Sequence, residues 1–224
     1  MPRLLTYVAC FMMVFTTFGG ARAAGETEPI VIFAYGDSLT AGLGLPAKDA
    51  FPAKLQAALR ATGLAVEVIN GGVSGDTSAN GVGRFDWSLP SHVDAAIVEF
   101  GANDAFQGIM PPVLRGNLET IVQRLQAKGV AVMLAGMMAP RNLGVDYIRE
   151  FDALYPDIAR QYNCLLYPFY LDGVATDRSL NQADGIHPNA AGVDVIVARM
   201  LPTVERLIAE ARQDRQAHSP HTSE

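Results

Sequence analysis

Cysteine and histidine are scarce in this sequence, whose 224 residues include two cysteines and four histidines. Histidine pairs, cysteine pairs and histidine-carboxylate clusters at metal-ligand spacing are absent, so we expect no catalytic metal. Cys10 lies in a segment that we expect to be removed, which leaves Cys164 without a disulfide partner. Because Cys164 precedes the apolar residues Leu165 and Leu166, we interpret it as a buried strand residue and not as a reactive thiol.

The sequence also lacks an excess of positive charge and the glycine patterns of nucleotide-binding loops. It contains 17 Lys and Arg residues against 23 Asp and Glu residues, which gives a formal net charge of -6. An acidic chain without a basic cluster is poorly suited to bind nucleic acids or anionic membrane surfaces. Neither G-x-G-x-x-G nor G-x-x-x-x-G-K-S/T occurs, so we expect no bound nucleotide and no other cofactor. A small-molecule substrate is therefore the expected partner.

No apolar run is long enough to span a bilayer as a helix, which takes about 20 residues. The run from Leu4 to Phe18 follows Arg3 and precedes the small-residue sequence Ala21-Arg-Ala23. This pattern is typical of a secretory signal peptide, here residues 1–23, that is cleaved on export. A retained anchor helix is the alternative. We expect a periplasmic or secreted protein that is not inserted in the membrane once the signal peptide is removed.

Short apolar segments alternate with amphipathic ones along the chain. We predict five buried strands, near residues 30–35, 65–69, 95–100, 130–135 and 163–167. We predict helices near residues 49–60, 78–87, 114–125, 148–158 and 190–208. The alternation predicts an α/β fold with a parallel sheet covered by helices on both faces. One domain of residues 24–212 is expected, followed by a polar tail of residues 213–224.

Polar, glycine-containing loops follow the first three predicted strands. They read Gly36-Asp-Ser-Leu after the first strand, Asn70-Gly-Gly-Val-Ser-Gly-Asp-Thr after the second and Gly101-Ala-Asn-Asp after the third. In open parallel sheets, ligands bind at the carboxyl ends of the strands. We therefore expect the three loops to converge on one edge of the sheet and to form the functional site.

Ser38 is the candidate nucleophile, and a serine hydroxyl needs a neighbouring base near neutral pH. Two of the four histidines lie in the polar tail and His92 lies in a polar run before a strand, which leaves His187 as the base. Asp184, three residues earlier, can orient the imidazole if the turn folds back on itself. The N–H of Ser38, an N–H of the second loop and the side-chain amide of Asn103 are candidates to stabilise an oxyanion.

Each of these fragments also has a purely structural interpretation. Gly-Asp-Ser and Gly-Ala-Asn-Asp are common in turns, and we expect Asp37, Asp76 and Asp104 to hold their own loops through side-chain to backbone hydrogen bonds. Several apolar residues near the expected cleft could bind an acyl or aryl group, or could equally belong to the core. They are Leu43, Phe106, Met110, Leu143 and Ile186.

Four motifs in order, Gly-Asp-Ser-Leu, Gly-Val-Ser-Gly-Asp-Thr, Gly-x-Asn-Asp and Asp-x-x-His-Pro, resemble the sequence blocks of the SGNH/GDSL hydrolase family. The similarity covers essentially all of residues 30–210 and is strongest to bacterial members described as arylesterases and thioesterase/lysophospholipases. The resemblance implies a three-layer α/β/α sandwich with a flavodoxin-like strand order 2-1-3-4-5. The site residues that it implies are the nucleophile Ser38, the oxyanion donors Ser38, Gly75 and Asn103, and the triad partners Asp184 and His187.

Two features separate the sequence from common patterns. The third motif contains Ala102 where close relatives often have glycine, a change that is tolerated unless φ at this position is positive. The G-x-S-x-G elbow of α/β-hydrolases is absent, because Thr40 stands where its second glycine would be.

We therefore expect an exported serine ester hydrolase that cleaves aryl, short-chain acyl, thio or lysophospholipid esters through an acyl-enzyme. A carbohydrate acetylesterase that uses the same residues is the alternative within the enzyme class. A non-catalytic flavodoxin-like module that binds an anion through its glycine loops is the alternative outside it. The two enzymes differ in substrate, whereas the binding module predicts an unreactive Ser38.

Overall fold

The structure is a computed structural model, and it describes residues 28–218. The signal peptide expected over residues 1–23 and the end of the expected tail, residues 219–224, lie outside this range. Strands and helices alternate along the described chain, as the sequence predicted.

Five parallel strands form one sheet in the order β2-β1-β3-β4-β5. This confirms the predicted α/β fold class and the strand order that the family resemblance implied. β2 extends beyond residue 69 because residues 70–72 pair with the end of β1. The strands are β1 Ile30–Gly36, β2 Val66–Gly72, β3 Ala95–Glu99, β4 Ala131–Ala135 and β5 Leu165–Tyr167.

Seven α-helices occur among the described residues, two more than the sequence pattern predicted. α1 and α4 are short and lie in the loops after β1 and β3. α5 begins earlier than predicted because prolines occupy its first turn, where their missing N–H groups sacrifice no hydrogen bond. The helices are α1 Ser38–Ala41, α2 Phe51–Ala61, α3 Ser78–Ser88, α4 Ala102–Phe106, α5 Pro111–Gln126, α6 Val145–Gln161 and α7 Ala190–His218.

The helices cover the sheet on both faces. Every residue of β1, β3 and β4 is buried, as expected for central strands between two helical layers. α2 packs against α7 in one layer, and α5 packs against α3 and α6 in the other. Within the part of the chain that the structure describes, no helix has both the length and the hydropathy needed to cross a membrane.

α7 closes the fold and runs further than the sequence suggested. Asn189 caps its first turn by accepting a hydrogen bond from the N–H of Gly192 at 3.0 Å. The helix includes Pro202 and continues to His218. Residues 213–218 of the expected polar tail therefore belong to this helix.

Arg215 attaches the end of α7 to the start of the sheet. Its Nε lies 3.0 Å from Oδ1 of Asp94, and its guanidinium also donates to the carbonyl oxygens of Glu28 at 3.3 Å and Pro29 at 3.1 Å. The Asp94 side chain is 7% exposed and accepts the N–H of Val31 at 2.7 Å. The polar composition of this segment thus reflects an ion pair to a buried carboxylate and not a free tail.

We expect Arg215→Ala to lower the free energy of unfolding by about 1–3 kcal/mol, because it removes the arginine that pairs with the buried carboxylate of Asp94. Urea denaturation followed by circular dichroism measures this change. Arg212→Ala is the matched control, since Arg212 lies one turn earlier in α7 and has no ion pair with another described residue. Equal stability of the two variants would contradict the role assigned to Arg215.

Candidate active site

Ser38 lies at the carboxyl end of β1 and is the first residue of α1. The chain passes from strand to helix at Gly36. This position requires glycine, because a Cβ atom there would lie 2.3 Å from Oγ1 of Thr40. Asp37 caps the short helix by accepting the N–H of Leu39 at 2.9 Å. The strand, the glycine and the cap together fix the position of Ser38 at the edge of the sheet.

The structure brings His187 to Ser38, although 149 positions separate them in the sequence. Oγ of Ser38 lies 2.8 Å from Nε2 of His187. Nδ1 of the same imidazole lies 2.7 Å from Oδ2 of Asp184. The three side chains therefore form one hydrogen-bonded line, with His187 between Ser38 and Asp184.

A tight turn holds Asp184 and His187 in this arrangement. The N–H of Gln182 donates to the carbonyl oxygen of His187 at 2.8 Å, and the N–H of Gly185 donates to the carbonyl oxygen of Gln182 at 3.0 Å. Gly185 has a φ of 71°, which residues with a side chain rarely adopt. Oδ1 of Asp184 accepts the N–H groups of Ile186 at 2.9 Å and of His187 at 3.0 Å.

These hydrogen bonds stabilise the charged form of Asp184. The N–H of Ile186 and then the side chain and N–H of His187 lower the pKa of Asp184 to about 2. Asp184 is therefore ionised throughout the neutral range and holds a proton on Nδ1 of His187. Nε2 is then free to accept the hydrogen of the Ser38 hydroxyl.

The three candidate oxyanion donors lie together in the loops after β1, β2 and β3. The N–H groups of Ser38 and Gly75 have no hydrogen-bond acceptor among the residues that the structure describes. Gly75 has a φ of 88°, which favours glycine. Nδ2 of Asn103 lies 2.9 Å from the carbonyl oxygen of Asp76 and 3.1 Å from Oδ2 of Asp37. The side chain of Asn103 thus connects the other two loops.

Ala102 occupies a position that does not require glycine. The positive φ in this loop belongs to the preceding residue, Gly101, at 129°. A Cβ atom on Gly101 would lie 2.1 Å from the hydroxyl oxygen of Tyr155. Alanine at position 102 therefore leaves the geometry of Asn103 undisturbed.

A pair of buried carboxyl groups, Asp37 and Glu99, lies beneath Ser38. Oε2 of Glu99 accepts the hydroxyl of Thr40 at 2.8 Å and the N–H of Asp37 at 3.3 Å, whereas Oε1 has no partner in the described structure. Burial, followed by the charge of Asp37, raises the pKa of Glu99 well above its usual value. Burial also raises the pKa of Asp37 to about 6. The raised pKa favours the neutral form of Glu99 beside Asp37.

The side chains of the other two loop aspartates bond to groups outside their own loops. Asp104 accepts the N–H of Ser78 at 2.8 Å and also its hydroxyl, at the start of α3. Asp76 forms an ion pair with Arg84. Of the three aspartates expected to hold their own loops, only Asp37 does so.

The sequence analysis missed Arg84 and Glu99, although a charged residue at the end of an apolar strand was an available signal for Glu99.

An apolar cavity of about 260 Å³ opens beside Ser38 and His187. It adjoins a second apolar cavity of about 500 Å³. Both are open to solvent at the carboxyl edge of the sheet, so that a substrate carbonyl held against Ser38 can extend its apolar group into them. The side chains that line both cavities are Ala102, Phe106, Met137, Leu171 and Ile186.

Two of the five apolar residues proposed to contact a substrate, Phe106 and Ile186, line these cavities. The other three line neither cavity. Leu143 packs against the hydrophobic core, whereas Leu43 and Met110 are exposed elsewhere at the surface. The sequence analysis missed the lining residues Met137 and Leu171, which follow β4 and β5 respectively. Because ligands bind at the carboxyl ends of parallel strands, the loops after these two strands were candidates to line the site.

These features define a hydrolase of the three-layer α/β/α class with a flavodoxin-like sheet. Among the described residues, no group of three or more histidine, cysteine, aspartate and glutamate side chains could hold a metal ion. A sequence model of the GDSL-like Lipase/Acylhydrolase family matches residues 34–195. The chain belongs to this family and is a GDSL-type esterase.

Three known proteins illustrate the similarity. Esterase TesA of Pseudomonas aeruginosa is 36% identical over 207 residues, which cover 92% of this chain and 100% of TesA. Thioesterase 1/protease 1/lysophospholipase L1 of Escherichia coli is 32% identical over 197 residues, covering 88% of this chain and 90% of that protein. The crystal structure of AlinE4, an SGNH-hydrolase family esterase, is 44% identical with a TM-score of 0.68 and covers 80% of this chain and 96% of AlinE4.

We expect Glu99→Gln to stabilise the protein increasingly as the pH rises from 4 to 8. A carboxyl group with a raised pKa in the folded state makes folding less favourable above its unfolded pKa of about 4.3, because only the unfolded chain ionises freely. The glutamine mimics neutral Glu99, because it carries no charge and can still accept the hydroxyl of Thr40.

Thermal unfolding of Glu99→Gln and of the unsubstituted protein at several pH values measures this difference. Glu119→Gln is the control, because Glu119 lies in a partly exposed ion pair with Arg115 and should change the melting temperature little. A melting temperature of Glu99→Gln that falls further below that of the unsubstituted protein as the pH rises would contradict the prediction.

Proposed function

We propose that this chain is an exported serine ester hydrolase in which Ser38 forms an acyl-enzyme with its substrate. The observation that supports the proposal most strongly is the line of hydrogen bonds from Ser38 to His187, at 2.8 Å, and from His187 to Asp184, at 2.7 Å. The line ends beside an apolar cavity, which provides space for a substrate next to the hydroxyl.

In the proposed reaction, Oγ of Ser38 attacks the carbonyl carbon of the ester while Nε2 of His187 accepts its proton. Asp184 stabilises the resulting imidazolium. The bond to the leaving alcohol then breaks, and His187 returns the proton to the alcohol oxygen. A water molecule attacks the acyl-enzyme by the same route, which releases the carboxylic acid and regenerates Ser38.

The negative charge on the substrate oxygen requires hydrogen-bond donors that are already in place. The N–H groups of Ser38 and Gly75 are the first two proposed donors, and the side-chain amide of Asn103 is the third. Because both hydrogens of this amide already have acceptors, Asn103 must share or release its 3.1 Å bond to Asp37 to reach the oxyanion. Loss of one such donor typically costs about 2.7–4 kcal/mol of transition-state stabilisation.

The proposed substrates are carboxylic esters with an aryl or short-chain acyl group. The apolar lining of the cavities supports this choice, and it favours such substrates over carbohydrate acetyl esters, whose sugar hydroxyls need polar partners. The names of the similar proteins, an esterase and a thioesterase/lysophospholipase, support thioesters and lysophospholipids as further substrates of the same site.

Export is part of the proposal and is supported by the sequence alone. Residues 1–23 have the charge, the apolar run and the small-residue site of a cleaved signal peptide. We propose that they direct the chain to the periplasm or the medium, and that the catalytic domain begins at residue 24 and includes all of α7.

We expect Ser38→Ala to lower the rate of p-nitrophenyl butyrate hydrolysis by at least about 10³-fold without unfolding the protein, because the nucleophile is removed and a small residue replaces it. Steady-state kinetics and a melting curve on the purified variant measure both quantities. Ser91→Ala, at an exposed position before β3, is the control and should retain full activity. Retained activity of Ser38→Ala would defeat the assignment.

We expect kcat/KM to rise between pH 5 and pH 8. A protonated imidazole cannot accept the proton of Ser38, so the reaction needs the neutral form of His187. Asp184, with its pKa of about 2, does not titrate in this window. Asp37, with a pKa of about 6, does, so the profile is also measured on Asp37→Asn, where the rise should persist. A flat profile in Asp37→Asn would count against His187 as the base, even if the unsubstituted protein shows a rise.

A further inference from the structure

Arg84, on α3, is a buried arginine outside the line of hydrogen bonds described above. Only 7% of its side chain is exposed, and its guanidinium carbon lies 4.3 Å from the ring centre of Tyr35. Moving a charged group out of water is costly unless hydrogen bonds and a counter-ion compensate for the lost hydration. The identity of its partners therefore indicates why the charge is placed there.

The partners of Arg84 belong mainly to the ends of β1 and β2 and to the loop after β2. Nη2 donates to the carbonyl oxygens of Gly36 at 2.9 Å and Gly71 at 2.8 Å. Nε donates to the carboxylate of Asp76. Nη1 lies 3.2 Å from Oγ of Ser88, one turn further along α3. A single guanidinium thus connects two neighbouring strand ends with the loop that follows the second.

These partners are adjacent in the sequence to the proposed oxyanion donors. Gly36 lies two residues before Ser38, and Asp76 directly follows Gly75. The carbonyl oxygen of Asp76 also accepts a hydrogen bond from the side chain of Asn103 at 2.9 Å. Ser38 and Gly75 therefore each lie within two residues of a group that Arg84 binds. Asn103 is hydrogen-bonded to Asp76, the residue that forms the ion pair with Arg84.

We infer that Arg84 is a positioning residue that sets the separation of the Ser38 and Gly75 N–H groups and so shapes the oxyanion site. The inference rests on the proposed function of Ser38. Hydrogen bonds from a planar guanidinium to two carbonyl oxygens fix direction as well as distance, which a lysine ammonium does not reproduce. A displacement of about 1 Å in a catalytic site can lower the rate by about 100-fold.

The test compares Arg84→Lys and Arg84→Met with Arg124→Lys and Arg124→Met. Arg124 is the matched control: its guanidinium lies 4.3 Å from the ring centre of Phe85 and donates to the carbonyl oxygen of Val82, away from the oxyanion loops. The readouts are kcat and KM for p-nitrophenyl butyrate and the inhibition constant of phenylboronic acid. The boronic acid forms a tetrahedral adduct with a catalytic serine and places one oxygen among the oxyanion donors.

We expect the Arg84 variants to lower kcat by about 10- to 100-fold while KM stays within about threefold. The inhibition constant of phenylboronic acid should rise by a similar factor, because both effects measure the same donors. The pH midpoint of kcat/KM should stay unchanged, since Arg84 contacts neither His187 nor Asp184. The Arg124 variants should lower the melting temperature and leave kcat within twofold of the unsubstituted protein.

Melting curves establish which variants are folded at the assay temperature. Folded Arg84 variants with kcat within twofold of the unsubstituted protein would overturn the inference. If neither Arg84 variant folds, Asp76→Asn replaces them: it removes the counter-charge at constant volume and should lower kcat by about three- to tenfold, and an unchanged kcat would again overturn the inference. Failure of the proposed function is distinguishable, because it would be seen as activity that survives in Ser38→Ala.

Discussion

The parallel register of three strands is the constraint on which the site depends. Gly36 of β1 pairs with Gly72 of β2 and with Glu99 of β3, so the three strands end at the same level. The loops that follow leave the sheet side by side, and short polar groups from each loop can reach one point. Of the proposed catalytic groups, only Asp184 and His187 come from a distant part of the chain, and a tight turn after β5 places His187 beside Ser38.

Charged groups lie directly beneath this point, where they are expensive to bury. Arg84 pairs with Asp76, and Glu99 accepts hydrogen bonds from the hydroxyl of Thr40 and the N–H of Asp37. The hydrogen bonds of Arg84 hold together the strand ends and the loop that they connect. The loops carry backbone N–H groups that must already point at a developing charge, and rigidity is what such preorganisation requires. The buried charged groups therefore lower the stability of the fold, but they hold the proposed oxyanion donors beside Ser38 in fixed positions.

Local patterns predicted the strands and the approach of His187 to Ser38, because apolar runs locate the strands of a parallel sheet and the sheet determines where its loops meet. They could not predict roles that depend on partners far along the chain. Arg84 has the sequence context of an ordinary helix residue, and its partners become visible only once β1 and β2 are paired. Arg215 lies in a segment that composition alone marks as a tail. Met137 forms part of the cavity wall because of how the loop after β4 folds, which periodicity does not encode.

Covalent labelling tests most directly whether Ser38 is a nucleophile activated by His187. A fluorophosphonate probe bonds to the serine oxygen with loss of fluoride while the base takes up the proton, and peptide mass spectrometry locates the adduct. The account predicts a single adduct at Ser38, formed at least about 100-fold more slowly in His187→Gln than in the unsubstituted protein. An adduct at another residue, or equal labelling rates in the two proteins, would contradict it.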